Sequence, residues 1–107
     1  MDAFQLGRLV EQQRHSGRPY LEFLRRDSMS AGLYDLPAGG TDDQSPHHED
    51  EVYVVLAGRA MITVGDEEEP VEAGSVVFVA REVEHRFHSI DENLQVLVLF
   101  APAETDG

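Results

Sequence analysis

The sequence predicts an all-β fold, an antiparallel sandwich or barrel with one short helix at its N-terminal end, and three observations support this. Short apolar runs rich in Val, Leu and aromatic residues recur from Tyr20 to Phe100. Gly, Pro and acidic clusters punctuate them, and no helical stretch interleaves them, which is the pattern of antiparallel rather than α/β architecture. The chain's 107 residues suffice for one domain with its own core and are too few for two.

Residues 3–14 carry Phe4, Leu6, Leu9 and Val10 among Gln, Arg and Glu. This is an imperfect helical stripe, and Ser16-Gly17-Arg18-Pro19 ends it because Gly and Pro stop helices. An N-terminal helical segment is therefore expected over 1–19, outside the main fold. The β domain follows over 20–103, and a frayed tail over 104–107. Tyr20–Leu24 and Ala31–Leu36 read as the first strands, the former with a helical alternative, and Pro37-Ala38-Gly39-Gly40 stops the latter.

Val52–Ala57 is apolar on both parities, as in a strand covered on both sides. With Gly58-Arg59 as a turn, it is expected to form a hairpin with Ala60–Val64. The acidic stretch Asp66-Glu67-Glu68-Glu69, between Gly65 and Pro70, reads as a solvated loop tip. Strands at Val76–Val79, Val83–Ile90 and Leu94–Phe100 complete the domain before Ala101-Pro102.

Eight Lys and Arg stand against 21 Asp and Glu, a formal charge of −13. So acidic a chain is a poor partner for nucleic acid or an anionic membrane, both of which select basic surfaces. No cysteine is present, which excludes disulfides, thiolate metal sites and a cysteine nucleophile and leaves His, Asp and Glu as ligands. Met1–Leu9 has an acid at Asp2 and no long apolar core, and no later stretch approaches the roughly 20 apolar residues of a membrane span. The expectation is a soluble cytoplasmic protein.

The chemistry concentrates in Pro46-His47-His48-Glu49-Asp50-Glu51, which runs directly into the strand at Val52, and in His85 within the strand at Val83–Ile90. Alternation puts Val83, His85, Phe87 and Ser89 on one face and Glu84, Arg86, His88 and Ile90 on the other. Phe87 needs burial and Arg86 needs water, so His85 points inward. An inward histidine alone is more often a hydrogen-bonded core residue than a ligand, but His47 and Glu51 give it partners.

These residues resemble the two short motifs of the cupin superfamily. The first, G-x5-H-x-H-x(3,4)-E-x6-G, is matched by Gly39, His47, Glu51 and Gly58. The second, G-x5-P-x-G-x2-H-x3-N, is matched by Gly74 and His85, with Ala80, Glu82 and Ser89 in place of its proline, glycine and asparagine. Together they span Gly39 to Ser89. The resemblance implies a jelly-roll barrel, an antiparallel β-sandwich closed around a cavity for a small-molecule ligand or substrate, and a homodimer. The two-sided apolar strand independently calls for a covered sheet face.

Cupins commonly hold a divalent metal with three histidines and a glutamate, but Ser45 occupies the first histidine position here. The resemblance thus supplies His47, Glu51 and His85, a two-imidazole, one-carboxylate set suited to Fe and also to Mn, Co, Ni or Zn. Gln44 could add a fourth ligand through its amide oxygen. His48 is expected at the surface and His88 at the surface or an interface, both of opposite parity, and Glu49 and Asp50 are expected as loop acids that favour cation entry. A cupin that has lost its metal would also show Ser45, with His47 and His85 then hydrogen-bonding Glu51.

The resemblance also implies a cavity lined by inward side chains, here Tyr53, Val55, Phe78, Phe87, Val96 and Val98. Tyr53 is a candidate catalytic hydroxyl, with a buried structural role as its alternative. Three functions follow from these features: a metal-dependent oxygenase- or isomerase-like enzyme, a non-catalytic small-molecule-binding module with or without metal, and a metal-free epimerase-like enzyme. The last is disfavoured by the scarcity of basic residues to hold nucleotide-sugar phosphates.

Overall fold

The structure, a computed structural model, describes residues 1–105. Helix α1 (Leu6–Ser16) stops at Gly17, whose left-handed φ of 67° lets its N–H reach the Gln13 carbonyl. Leu9 and Gln13, four residues apart and so on one face, are its buried residues. The Gln13 Nε2 donates to the Leu33 carbonyl (2.9 Å) and the Pro19 carbonyl (3.1 Å). The helix is therefore fastened to the sheet, not lying outside the fold.

Six strands follow: β1 (Tyr20–Arg26), β2 (Met29–Leu36), β3 (Asp50–Val64), β4 (Glu67–Glu72), β5 (Val76–Val79) and β6 (His85–Ala101). All pairings are antiparallel, in the order β1-β2-β6-β3-β4, with β5 against β3. Among the described residues, no helix is long and apolar enough to cross a membrane.

The expected hairpin at Gly58-Arg59 does not form. Residues 50–64 are one strand, and Gly58 (φ 95°) is an irregularity in its ladder with β6. A Cβ at Gly58 would run into the Asn93 carbonyl oxygen, so only glycine admits this approach. Likewise the strands expected at 83–90 and 94–100 are joined in β6. Ser89 (φ 50°) interrupts the alternation, so that Ile90 is buried where simple parity would expose it.

The acidic loop tip is also shorter than expected. Only Gly65 and Asp66 turn, and Glu67–Glu72 pairs with β3 as an edge strand. Its charges and Pro70 suit an edge, where a missing N–H costs no ladder bond and charge discourages further pairing.

The irregularities bend β3 and β6 so that the sheet folds over itself. Tyr53 and Ile62, the ladder partner of Phe87, would be roughly 30 Å apart on a straight strand, yet the rings of Tyr53 and Phe87 have centroids 4.9 Å apart. Between the folded halves lies one core that includes Tyr53, Val55, Ile62, Phe87, Val96 and Val98. The opposite face of the β3 apolar run is only half-buried: Val52, Val54 and Leu56 alternate with buried Tyr53 and Val55.

Glu104 and Thr105, expected to fray, each have a partner. The Glu104 N–H donates to Ser30 Oγ (2.9 Å) and the Thr105 hydroxyl to Glu49 (2.8 Å). Residues 106 and 107 of that tail lie outside the described ones.

Candidate metal centre

Three elements bring the site together. Glu51 is near the start of β3, on the inner face beside its ladder neighbours Phe100 and Val79. His85 begins β6, and His47 lies in the irregular segment that leads into β3. Glu51 Oε1 is 2.9 Å from His85 Nε2 and 3.8 Å from His47 Nε2, and one ligand atom from each of the three residues falls within 4.8 Å of the others. Glu51 and His85 are 2% and 6% exposed; His47 is half-buried with its ring edge-on to Phe100.

Proton placement makes this cluster unusual. His85 Nδ1 is 2.9 Å from the Val83 carbonyl, which can only accept, so Nδ1 bears a proton. In neutral imidazole Nε2 is then a bare lone pair aimed at a carboxylate. Neither the two Glu51 oxygens nor His85 Nε2 has a hydrogen-bond partner of acceptable geometry, although all three atoms are buried. Burial pulls the His85 pKa down, but the pull of Glu51 and the Val83 carbonyl outweighs it and the net shift is upward. Burial, with the neighbouring His85, lowers that of His47 against the pull of Glu51.

Buried, unpartnered acceptors converging on one point fit a cation: a divalent ion or an added proton would satisfy them together. The donor set, two imidazoles and a carboxylate, is one that Fe, Mn, Co, Ni or Zn accepts.

Around this cluster the structure sorts the remaining candidates. Gln44 is half-buried, with Oε1 3.0 Å from His47 Nε2, whereas Ser45 is exposed. Tyr53 is fully buried, and its hydroxyl meets the Gln44 amide instead of open space. Burial, then the Glu51 charge, raises its pKa, so it stays a phenol. His48 is exposed beside Glu82 (2.8 Å), and His88 bonds Thr63 (2.8 Å), both away from the cluster. Glu49 is not a solvated loop acid: it is 3% exposed, with Oε2 taking the Thr105 hydroxyl. Asp50, half-buried, accepts the Arg81 N–H at 3.0 Å.

A hollow of about 190 Å³ opens beside His47 and Gln44, walled by Tyr20, Tyr34, Val98, Phe100 and Glu104. Val55, Val96 and Phe87 point inward but pack into the core, so of the expected lining only Val98 borders this space. Phe78 must be corrected: it is 61% exposed, because Val77 and Val79 take the inward positions of β5. It borders instead a separate hollow of about 700 Å³ between β4 and β5 that contains none of the three cluster residues.

Among the described residues, one buried carboxylate has no counterpart among the expectations. Asp42, 7% exposed, receives the Tyr34 hydroxyl (2.7 Å), the Phe87 N–H (2.9 Å) and the Gln44 Nε2 (2.9 Å). In the sequence Gly40-Thr41-Asp42-Asp43-Gln44 it looks like any loop acid. Its neighbour Asp43 is exposed, and nothing local distinguishes the two.

Comparison with known proteins bears on the fold and the family. The profile of the cupin domain matches residues 32–101. An uncharacterised protein of Streptomyces coelicolor is 52% identical over 105 residues, 98% of this chain and 100% of the relative. Among solved structures, TT1209 from Thermus thermophilus superposes with a TM-score of 0.76 at 23% identity, covering 96% of this chain and 99% of that one. The cupin domain of Schizosaccharomyces pombe Cnp3 gives 0.71 at 19% identity over 78% of this chain, which spans 59% of that chain. Fold, motif spacing and family match agree: the chain belongs to the cupin family, as a small cupin domain with a jelly-roll β-sandwich fold.

Proposed function

We propose that this cupin binds a divalent metal through His47, Glu51 and His85, and that a small molecule reaches the metal from the hollow beside Tyr20 and Tyr34. A single observation carries this reading: Glu51 and His85 present three buried polar atoms with no hydrogen-bond partner, directed at one another. A bound Fe, Mn, Ni, Co or Zn ion supplies Lewis acidity toward a carbonyl group, and oxygen activation when it is iron. In enzyme form, the class is oxygenase- or isomerase-like.

The chain's own residues restrict the ligand. The hollow's walls are largely aromatic and aliphatic, with no Arg or Lys among them and Glu104 at one side. Its volume is below the roughly 300–1,000 Å³ of sites for drug-sized ligands. Small uncharged molecules fit this lining better than phosphorylated ones.

A second reading has its own support. If His85 is protonated, its 2.9 Å approach to Glu51 is an ion pair that needs no metal, and the domain is then a non-catalytic binding module. Elemental mass spectrometry of protein purified without added metal separates the two. Stoichiometric metal that disappears in His85→Ala is expected; metal-free wild-type protein, or unchanged content in the variant, overturns the metal reading.

We further propose a homodimer formed through the outer face of the sheet. Two ladder rows run across four strands there, Ala31-Leu99-Val52-Phe78 and Leu33-Leu97-Val54-Val76. Ala31 and Leu33 are buried, on the strand that α1 packs against, while Val76 and Phe78 are 66% and 61% exposed. A symmetric partner would cover the uncovered end of an apolar face.

A further inference from the structure

We propose that the side-chain oxygen of Gln44 is the fourth protein ligand of the centre and that Asp42 is the positioning residue that aims it. The inference rests on the metal reading above and replaces the absent histidine with an oxygen donor from the neighbouring residue.

The amide's orientation is determined by its surroundings. Asp42 Oδ2 accepts from Gln44 Nε2 at 2.9 Å, and the same carboxylate is anchored by the Tyr34 hydroxyl and the Phe87 N–H. Turning the amide over would place its carbonyl oxygen against a carboxylate, two acceptors with no proton between them. Tyr53 hydroxyl closes the other edge, 3.2 Å from Nε2 and 3.3 Å from Oε1. The carbonyl oxygen is left on the side of the cluster, 3.0 Å from His47 Nε2.

That spacing suits two ligands of one ion. Donor atoms about 2.1 Å from a metal and at right angles to one another are roughly 3.0 Å apart. The Gln44–His47 and Glu51–His85 atom pairs, at 3.0 and 2.9 Å, both have this separation. Ser45, which holds the family's histidine position, is exposed, so the half-buried Gln44 is the side chain that takes the inward place. The His47 ring is backed by Glu104, Oε2 lying 3.4 Å from Nδ1. Without metal, Nε2 donates to Gln44 Oε1; the Glu104 carboxylate behind the ring offers Nδ1 a place for the proton when a metal takes Nε2.

Titration with Co2+, read by its visible ligand-field band and by the dissociation constant, tests this in wild type, Gln44→Leu, Asp42→Asn and the double variant. Thermal melts of the metal-free proteins serve as the control for folding. Gln44→Leu is expected to weaken Co2+ binding by roughly 10- to 100-fold and to change the band. Asp42→Asn, which no longer penalises the flipped amide, should weaken binding less, and its effect should vanish when Gln44 is already Leu. Unchanged affinity and band in Gln44→Leu overturn the ligand assignment. An Asp42→Asn effect that persists in the Gln44→Leu background overturns the positioning role, because a purely structural residue would act regardless. Wild-type protein that binds no Co2+ overturns the metal reading itself, and this inference with it.

Discussion

Asp42 and Glu51 are two carboxylates buried to similar depth, 7% and 2% exposed, and the fold treats them in opposite ways. Asp42 accepts three hydrogen bonds, from a phenol, an amide side chain and a backbone N–H. Glu51 accepts none of acceptable geometry, and its near neighbour, His85 Nε2 at 2.9 Å, bears a proton only when the ring is charged, because Nδ1 already donates to the Val83 carbonyl. An unpaired buried charge costs several kcal/mol, and the ordinary remedy is hydrogen bonding like that of Asp42. Glu49 lies between them, with one oxygen on the Thr105 hydroxyl and the other unpartnered; what sets Glu51 apart is that both its oxygens lack a partner and that two imidazoles stand beside it.

The most direct way to break this contrast is Glu51→Gln, which removes the charge and keeps the shape. Metal affinity should fall by about 100-fold or more, or about 2.7 kcal/mol, in a chelator-competition assay. Without metal, the variant should melt no lower than wild type, because the new amide can donate to the Nε2 of neutral His85, which in the wild type faces a second acceptor. A variant that keeps its metal affinity, or melts well below wild type in the apo form, would make Glu51 an ordinary structural acid.

Metal-linked stability is the next largest effect. At free metal about 100 times the dissociation constant, wild-type protein should gain about 2.7 kcal/mol against unfolding, and Glu51→Gln should gain almost nothing. Equal melting shifts in both proteins would locate the binding elsewhere on this acidic chain.

Asp42→Ala should show the reverse signature. The buried Phe87 N–H loses its acceptor, costing about 1–3 kcal/mol whether or not metal is present. For a domain of this size, a thermal scan should read a drop of roughly 4–8 °C for each kcal/mol. Loss confined to the metal-bound form would assign Asp42 wholly to the centre.

The same contrast explains what could be read in advance. Glu51, Gly58, Gly74 and His85 are spaced as motifs, and the parity of β6 around His85 and Phe87 follows from their chemistry, so the core of the site was legible. Asp42 was not, because its three donors come from β2, β6 and its own loop and become neighbours only once the sheet has folded over. Gly58 signals a break in pairing, but a turn and a bulge both require one, and only the closeness of Asn93 decides between them. Phe78 lies in a run apolar at every position from Val76 to Val79, where alternation carries no phase. Gln13, a polar residue amid a helical stripe, gave no sign that it would cap the Leu33 carbonyl.

The smallest expected change in the centre comes from the face turned away from it. Phe78→Asp places a charge at the exposed end of the row Ala31-Leu99-Val52-Phe78 and replaces a side chain that touches no ligand. Fold stability of the monomer should move within about 0.5 kcal/mol, as for surface substitutions generally, and metal affinity should stay at the wild-type value. Light scattering at micromolar concentration should nevertheless change from dimer to monomer, because a desolvated carboxylate in an apolar interface has no partner there. Wild-type protein that is already monomeric under those conditions would refute the proposed interface, and the exposed Val76 and Phe78 would then be an uncovered edge of β5 and nothing more.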